Sequence, residues 1–421
     1  MTLDLFAGPG GWSHALNVLG VRDVGLEWDE WACMTRAAAG QLTIRTDVAM
    51  YPVRPFLGRT VGLIASPPCQ AWSMAGKRLG LVDQPLVHQA VADLAAGHDT
   101  RAKLLASCQD ARSLLAAEPM RYLNALNTAG EPEWVAMEEV PDVLPLWRQY
   151  AAILRRWGFS VWTGILNAAD YGVPQTRKRA ILLASRVRTA EPPTPTHARV
   201  TEPDSLFGPG RTRWVSMAEA LGWGATDRPV PTVCAGGGPG GGPEPFPSGS
   251  RKTLSDARDR STWAPRVGAE IVRASRREGT GWATRPGENR STTAPAPTFT
   301  AEAHRWSWSL RSNNQANATF RSIEEPAGTL FFGHRANECT WIAEPVGTQP
   351  NNETAAAPEP IRITAREAGI LQTFPAHYPW QGNKGQQFSQ IGNAVPPLLA
   401  GHLLAPHLRV PLNPDDFTLA A

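Results

Sequence analysis

A chain of 421 residues is long enough for one large domain and a smaller second one, and its 42% apolar content is that of an ordinary globular protein. The net charge of +3 is too small to identify an anionic partner by itself, and no run of about 18 apolar residues could span a bilayer. Five widely spaced cysteines, Cys33, Cys69, Cys108, Cys234 and Cys339, form no CxxC pair. They argue against a zinc site or disulfide framework, so no metal is expected and any special thiol is a reactive one. Asp4 and a glycine turn follow Met1 at once where a signal segment would be charged and then apolar, which points to the cytoplasm.

From Thr2 to about Ser185, short apolar runs alternate with helix-like stretches. The runs are Leu3–Phe6, Val24–Leu26, Val61–Ala65, Trp134–Met137 and Ala180–Ala184. Such alternation predicts a parallel, helix-covered sheet whose ligands sit beyond the carboxyl ends of the strands. The first run ends in Asp4-Leu5-Phe6-Ala7-Gly8-Pro9-Gly10-Gly11, a turn that lets backbone approach a ligand at a helix N-terminus. Glu27-Trp28 follows the second run, where a carboxylate can grip ribose hydroxyls and an indole can cover an adenine face. Asp47-Val48 stands where a third strand would end.

The loop after the Val61–Ala65 run reads Ser66-Pro67-Pro68-Cys69-Gln70-Ala71-Trp72-Ser73. Two prolines stiffen it and deliver one thiol at its tip, a setting that core packing of a cysteine does not require. A thiolate is the nucleophile needed to attack C6 of a pyrimidine. The Ala/Leu-rich stretch from about Gln84 to Leu126 predicts helices beside the cleft. Met137-Glu138-Glu139-Val140 then ends another strand. A carboxyl of raised pKa facing the Watson–Crick edge of cytosine would activate C6, and adjacent carboxyls on a strand face opposite ways. Glu138 is the one chosen for that task. In Gln175-Thr176-Arg177-Lys178-Arg179, alternate residues share a face, so Gln175, Arg177 and Arg179 form a row able to bind phosphate or the O2 of a base.

After Arg188 the texture changes to Pro, Gly, Thr and Trp, with six glycines in the seven positions from Gly236 to Gly242. A smaller irregular or β-rich domain is expected there. It holds a loose repeat, Pro229–Val233, Pro295–Phe299 and Pro326–Leu330, that reads as a recurrent turn-plus-strand unit. Between Arg251 and Arg290 ten Arg and Lys face five Asp and Glu, a balance that suits either DNA contact or a solvated loop. Ordinary patterning returns at Ile361. The expected division is a catalytic domain over 1–188, a second domain over 189–360, and a segment, 361–421, that re-enters the first.

These blocks, together with Arg362–Glu367, Leu371–Pro375 and Gln390-Ile391-Gly392-Asn393-Ala394-Val395-Pro396-Pro397, resemble the ordered motifs of the cytosine-C5 DNA methyltransferase family over well over half the chain. The resemblance implies an α/β, Rossmann-like fold that binds S-adenosylmethionine, with 189–360 as the target recognition domain. It implies that Phe6, Gly8, Gly10, Glu27, Trp28, Asp47, Val48, Pro68, Leu115, Asn393 and Ala394 surround the cofactor. It further implies that Cys69, Glu138 and Arg179, with Arg177 beside them, act on a flipped cytosine, while Gln70, Ser73, Lys77 and Gln175 hold the loop or the DNA. Double-stranded DNA is the expected partner, a monomer the expected state, and a companion restriction endonuclease is compatible with the motifs.

Three departures stand out. Glu139 occupies the place where the family has Asn, Lys77 to Arg112 is longer than usual, and Ser113 stands where Gly is common. A tRNA cytosine methyltransferase uses the same motifs, but the long segment after Arg188 suits a DNA target better. A catalytically idle DNA-binding homologue finds support only in Glu139. A nicotinamide dehydrogenase leaves Pro67–Gln70 and Gln175–Arg179 without a role.

Overall fold

The computed structural model describes residues 1–72, 79–205, 209–221, 270–271, 274–277, 281–284, 290–291, 306–311, 320–329, 340–345 and 361–418. Its centre is a seven-stranded sheet. In chain order the strands and helices of the first part are β1 (Thr2–Leu5), α1 (Gly11–Val18), β2 (Asp23–Glu27), α2 (Glu30–Ala38), β3 (Leu42–Arg45) and β4 (Gly62–Ala65). They continue with α3 (Leu79–Ala95), α4 (Arg101–Leu105), α5 (Glu118–Asn127), β5 (Trp134–Glu139), α6 (Leu144–Arg156), β6 (Ser160–Asn167), the short β7 (Gln175–Thr176) and β8 (Lys178–Ser185).

The sheet order is β3-β2-β1-β4-β5-β8-β6. β1 pairs in parallel with both β2 and β4, so the chain reverses its winding there and opens a crevice past Leu5 and Ala65. One strand departs from the parallel expectation: β8 runs antiparallel to β5 and β6. The link from β6 to β8 is too short for a helical crossover, so the chain turns straight back. The reversal brings the N-terminal end of β8, and with it Arg177 and Arg179, to the edge where β5 ends in Glu138 and Glu139.

Each sheet face has its own core. Leu3, Leu5, Leu63, Val135, Met137 and Leu182 pack with α3, α5 and α6, whereas Ile64, Ala136, Ile181 and Leu183 pack with α1 and the C-terminal helix. The alternation is that of strands buried on both sides. After α7 (Met217–Ala220), described segments of 306–362 include a sheet of Trp306–Arg311, Phe320–Ser322, Thr340–Pro345 and Ile361–Arg362. The repeat units at Pro229 and Pro295 lie outside the described residues; in the third, Ala327–Gly328 pairs with β7.

The chain then forms α8 (Ala365–Leu371), α9 (Lys384–Asn393) and α10 (Pro397–Leu408). Capping boxes start α8 at Thr364 with Glu367 and α9 at Asn383 with Gln386, satisfying amides that a helix start leaves free. Leu398, Leu399, Leu403 and Leu404 of α10 pack against Trp12, Ala15 and Leu16 of α1. A Cβ on Gly11 would stand 2.1 Å from the Val395 carbonyl oxygen, so the two ends of the sequence meet backbone to backbone at the glycine turn. No described helix is long and apolar enough to cross a membrane.

Candidate active site

Three loops at the carboxyl ends of the sheet carry the chemistry. The first leaves β1 with positive φ at Phe6 (60°), Gly8 (53°) and Gly10 (97°). Nothing lies within 4 Å of where a Gly8 Cβ would be, so the turn presents bare backbone to open space. Gly10 is fixed from behind, where a Cβ would strike the Gln41 side chain. The Glu27 carboxylate accepts the Gly8 N–H at 2.7 Å and the Asp29 N–H at 2.7 Å, and burial raises its pKa above the ordinary value. Trp28 beside it is 71% exposed. Asp47 caps its own turn by accepting the Ala49 N–H, and Val48 is buried behind it. Ala394 is buried and Asn393 exposed at the end of α9, next to the Gly11–Val395 contact, while Leu115 is half-buried in a 3-10 turn (Ala111–Ala117).

The second loop, after β4, bears Cys69 in a 3-10 turn (Cys69–Ala71) that begins at an extended Pro68. Ser66 accepts the Trp12 indole N–H at 2.9 Å, tying this loop to the helix that follows the glycine turn. Cys69 is half-buried and packs on the core cluster beneath α3 and α5. Burial, then the Glu139 charge, push its thiol up to about 11, against the pull of Arg179 and Arg177. Gln70 is exposed and accepts a long 3.5 Å hydrogen bond from Arg112. Ser73 and Lys77 lie outside the described residues.

The third group is the ionic cluster of β5 and β8. The register sets Glu138 opposite Ile181, so Arg179 is its diagonal neighbour on one face, and Arg179 Nε lies 2.9 Å from Glu138 Oε1. Arg177 follows two residues earlier, its Nη2 at 3.8 Å from the same oxygen and its Nη1 donating to the Gly392 carbonyl at 3.0 Å. Burial, and then Arg179, pull the Arg177 guanidinium down to about 9, still charged at neutral pH. Gln175 is fully buried with neither amide atom partnered among the described residues, and Lys178 points to solvent, as alternation along the row requires.

Glu139 is on the opposite face of β5 from Glu138, the face of Met137 and of the cluster under Cys69. Its Oε2 accepts the Val140 N–H, its Oε1 has no partner among the described residues, and burial followed by Glu138 raises its pKa well above the ordinary value. The added stretch before β5 is anchored by buried Asp83, which accepts the Gln109 and Asp110 N–H groups and the Ser113 hydroxyl at 2.7 Å. Ser113 therefore has a partner of its own in this chain.

A cleft of about 1070 Å³ opens over Arg179. Its lining includes Val140, Asn167, Thr176 and Lys178, the cations Arg199, Arg213 and Arg321 with Trp214, and the carboxylates of Asp142, Glu324 and Glu325. Motif reading missed Arg199, Arg213 and Arg321, because they come from separate segments with no local pattern.

A thiol on a stiff loop, a buried carboxyl and two guanidinium groups at the crevice of an α/β sheet define an enzyme of nucleophilic group transfer. The chain belongs to the C-5 cytosine-specific DNA methylase family, whose model matches residues 1–89, 103–230 and 244–408, and is thus a DNA (cytosine-5-)-methyltransferase. It is 25% identical to the type II methyltransferase M.DdeI of Desulfomicrobium norvegicum, over 94% of this chain and 86% of the relative. It is also 25% identical to M.PspPI of a Psychrobacter strain, over 94% and 76%. Among solved structures, the S. pombe Dnmt2 methyltransferase aligns with a TM-score of 0.49 at 13% identity, over 97% of this chain and 98% of that one.

Proposed function

We propose that the chain methylates C5 of a cytosine flipped out of double-stranded DNA, with Cys69 forming a transient bond to C6. The observation that carries this reading is the buried cluster of Glu138, Arg177 and Arg179 within electrostatic reach of the Cys69 thiol, with Arg179 also lining a cleft large enough for a base. A base inside the duplex stack is out of reach of such a site, so extrusion comes first. Glu138 in its protonated form donates to N3 and draws electron density from C6, while Arg179 faces O2 and meets the negative charge that develops there. Cys69 adds to C6 as a thiolate, C5 becomes the nucleophilic carbon and accepts the methyl group, and loss of the C5 proton to a base with expulsion of the Cys69 thiolate restores the ring.

S-adenosylmethionine bound at the glycine turn supplies the methyl group. The residues present fit it. Bare backbone at Gly8 accepts close approach, Glu27 retains lone pairs for ribose hydroxyls, exposed Trp28 offers an aromatic face, and Asp47 and Val48 border the same side. Phe6, Gly10, Pro68, Leu115, Asn393 and Ala394 complete the surroundings in this reading. Residues 1–188 and 361–421 form the catalytic domain and 189–360 the target recognition domain. The enzyme is a cytoplasmic monomer acting at a specific DNA sequence, and its likeness to type II methyltransferases favours a role beside a restriction endonuclease.

Expression in a host lacking cytosine methylation, followed by bisulfite sequencing, tests the reading. Wild-type protein yields 5-methylcytosine at one recurrent sequence and Cys69→Ala yields none. Full methylation by Cys69→Ala, or methylation of tRNA in preference to duplex DNA in vitro, overturns it.

A further inference from the structure

The stretch between the Cys69 loop and β5 contributes more than length. Its helix α4 and the following α5 send three side chains to a single loop, the turn Asp47–Tyr51 after β3. Arg101 Nη1 donates to the Ala49 carbonyl at 3.2 Å. Arg121 Nη2 donates to the Val48 carbonyl at 2.5 Å and its Nη1 to the Tyr51 carbonyl at 3.1 Å. Tyr122 adds its hydroxyl to the Val48 carbonyl at 3.0 Å. Buried Glu118 stands between the two guanidinium groups, accepting from Arg101 Nη1 at 2.5 Å and from Arg121 Nε at 2.9 Å. Asp99 takes the outer side of Arg101 through Nε and Nη2.

Loop carbonyls at a surface are ordinarily left to water. Here charged donors hold three carbonyls within four residues, and a buried carboxylate holds the donors in turn. Such an arrangement costs desolvation that core packing alone does not demand. The loop it fixes carries Asp47 and Val48, the pair that borders the nucleoside side of the proposed cofactor site. We propose that Arg101, Glu118 and Arg121 are positioning residues that lock the Asp47–Tyr51 loop into the shape that receives the adenosyl group. The inference rests on the cofactor site proposed above. It also gives the added segment a task, because Arg101 belongs to it.

The test measures equilibrium binding of S-adenosylmethionine and S-adenosylhomocysteine to the full-length protein by calorimetry, together with steady-state kinetics on duplex DNA. Arg121→Ala and Glu118→Gln are expected to weaken both ligands by the same factor, about tenfold or more, with KM for the cofactor rising alike. At saturating cofactor kcat stays near wild type, and DNA affinity does not change. Arg101→Gln weakens both ligands less, and Arg121→Lys recovers part of the loss. Should Arg121→Ala fail to fold, Arg101→Gln, on a more exposed side chain, carries the test. Unchanged ligand affinity in a folded variant overturns the clamp while leaving the cofactor site standing, as does an equal loss of DNA affinity, which marks a general structural role. Absence of adenosyl binding in the wild type overturns the site itself, and the clamp with it.

Discussion

Adjacent carboxyls at the end of β5 live in different surroundings because the pleat separates them. Glu138 meets Arg179, whereas Glu139 faces the buried side of the Cys69 loop with one oxygen unpartnered among the described residues. A carboxyl whose folded pKa exceeds its unfolded value favours the folded state most at low pH, and that contribution is lost as pH rises from the unfolded value toward the folded one. Relative to wild type, Glu139→Gln should therefore gain stability as pH rises above about 4.5, by up to about 1.4 kcal/mol per pH unit within that window. Melting curves at pH 5 and pH 8 check the sign; an equal difference at both refutes it. Because ionised Glu139 also opposes formation of the Cys69 thiolate, alkylation of Cys69 by iodoacetamide should climb more steeply at alkaline pH in Glu139→Gln than in wild type. The amide variant should keep methyl transfer close to wild type, since an amide of the same shape still offers an oxygen to the Val140 N–H. Glu139→Ala leaves the buried Val140 amide without its acceptor, at a cost of about 1–3 kcal/mol, and should lose activity tenfold or more.

Between elements, the tightest joint is where α1 leaves the glycine turn under Val395. Gly11→Ala would force a methyl group onto the Val395 carbonyl and push α10 off α1, an overpacking cost of about 1–3 kcal/mol. A lowered midpoint in denaturant with an unchanged slope is the expected result; unaltered stability would refute the close approach. The elements differ in how far the sequence alone disclosed them. β1, β2, β4, β5 and β8 lie within a few residues of their apolar runs, because strands buried on both faces read as unbroken hydrophobic stretches. β3 and β6 left no such run, since they are the sheet edges and carry exposed Leu42 and Ile165. The direction of β8 was not legible either; strand polarity is set by the length of the connection, which apolar periodicity does not record. At the site, residues adjacent in sequence, such as Pro67 to Gln70, were readable as chemistry. The Asp83–Ser113 bond and the clamp on the Asp47 loop join distant segments and leave no local signature.

Across the whole molecule, Arg199, Arg213 and Arg321 line the same cleft as Arg179 at the end of the sheet. Lys178, Arg179, Arg199, Arg213 and Arg321 outnumber Asp142, Glu324 and Glu325 in its lining, a balance that suits a polyanion; removing one cation that neutralises a phosphate should lower the slope of log K against log salt by about 0.9. Arg199→Ala is expected to weaken duplex binding and flatten that slope by about this amount without altering cofactor affinity; a fluorescence-anisotropy titration at several salt concentrations measures it. An unchanged slope would remove Arg199 from the DNA face.

The return of the chain from Ile361 has a consequence in time as well as space. The Tyr378 hydroxyl donates to the Pro9 carbonyl at 2.5 Å, Thr35 donates to Gln390 at 2.6 Å, and Arg177 rests on the Gly392 carbonyl, joining residues 369, 355 and 215 positions apart. During synthesis the thiol, the carboxyl and the guanidinium groups all leave the ribosome long before their last supports exist. Pairings of such range form late and slowly. A chain made only as far as residue 360 thus holds every reacting group without those supports, and its capacity to modify a genome waits on the segment that carries Tyr378, Gln390 and Gly392.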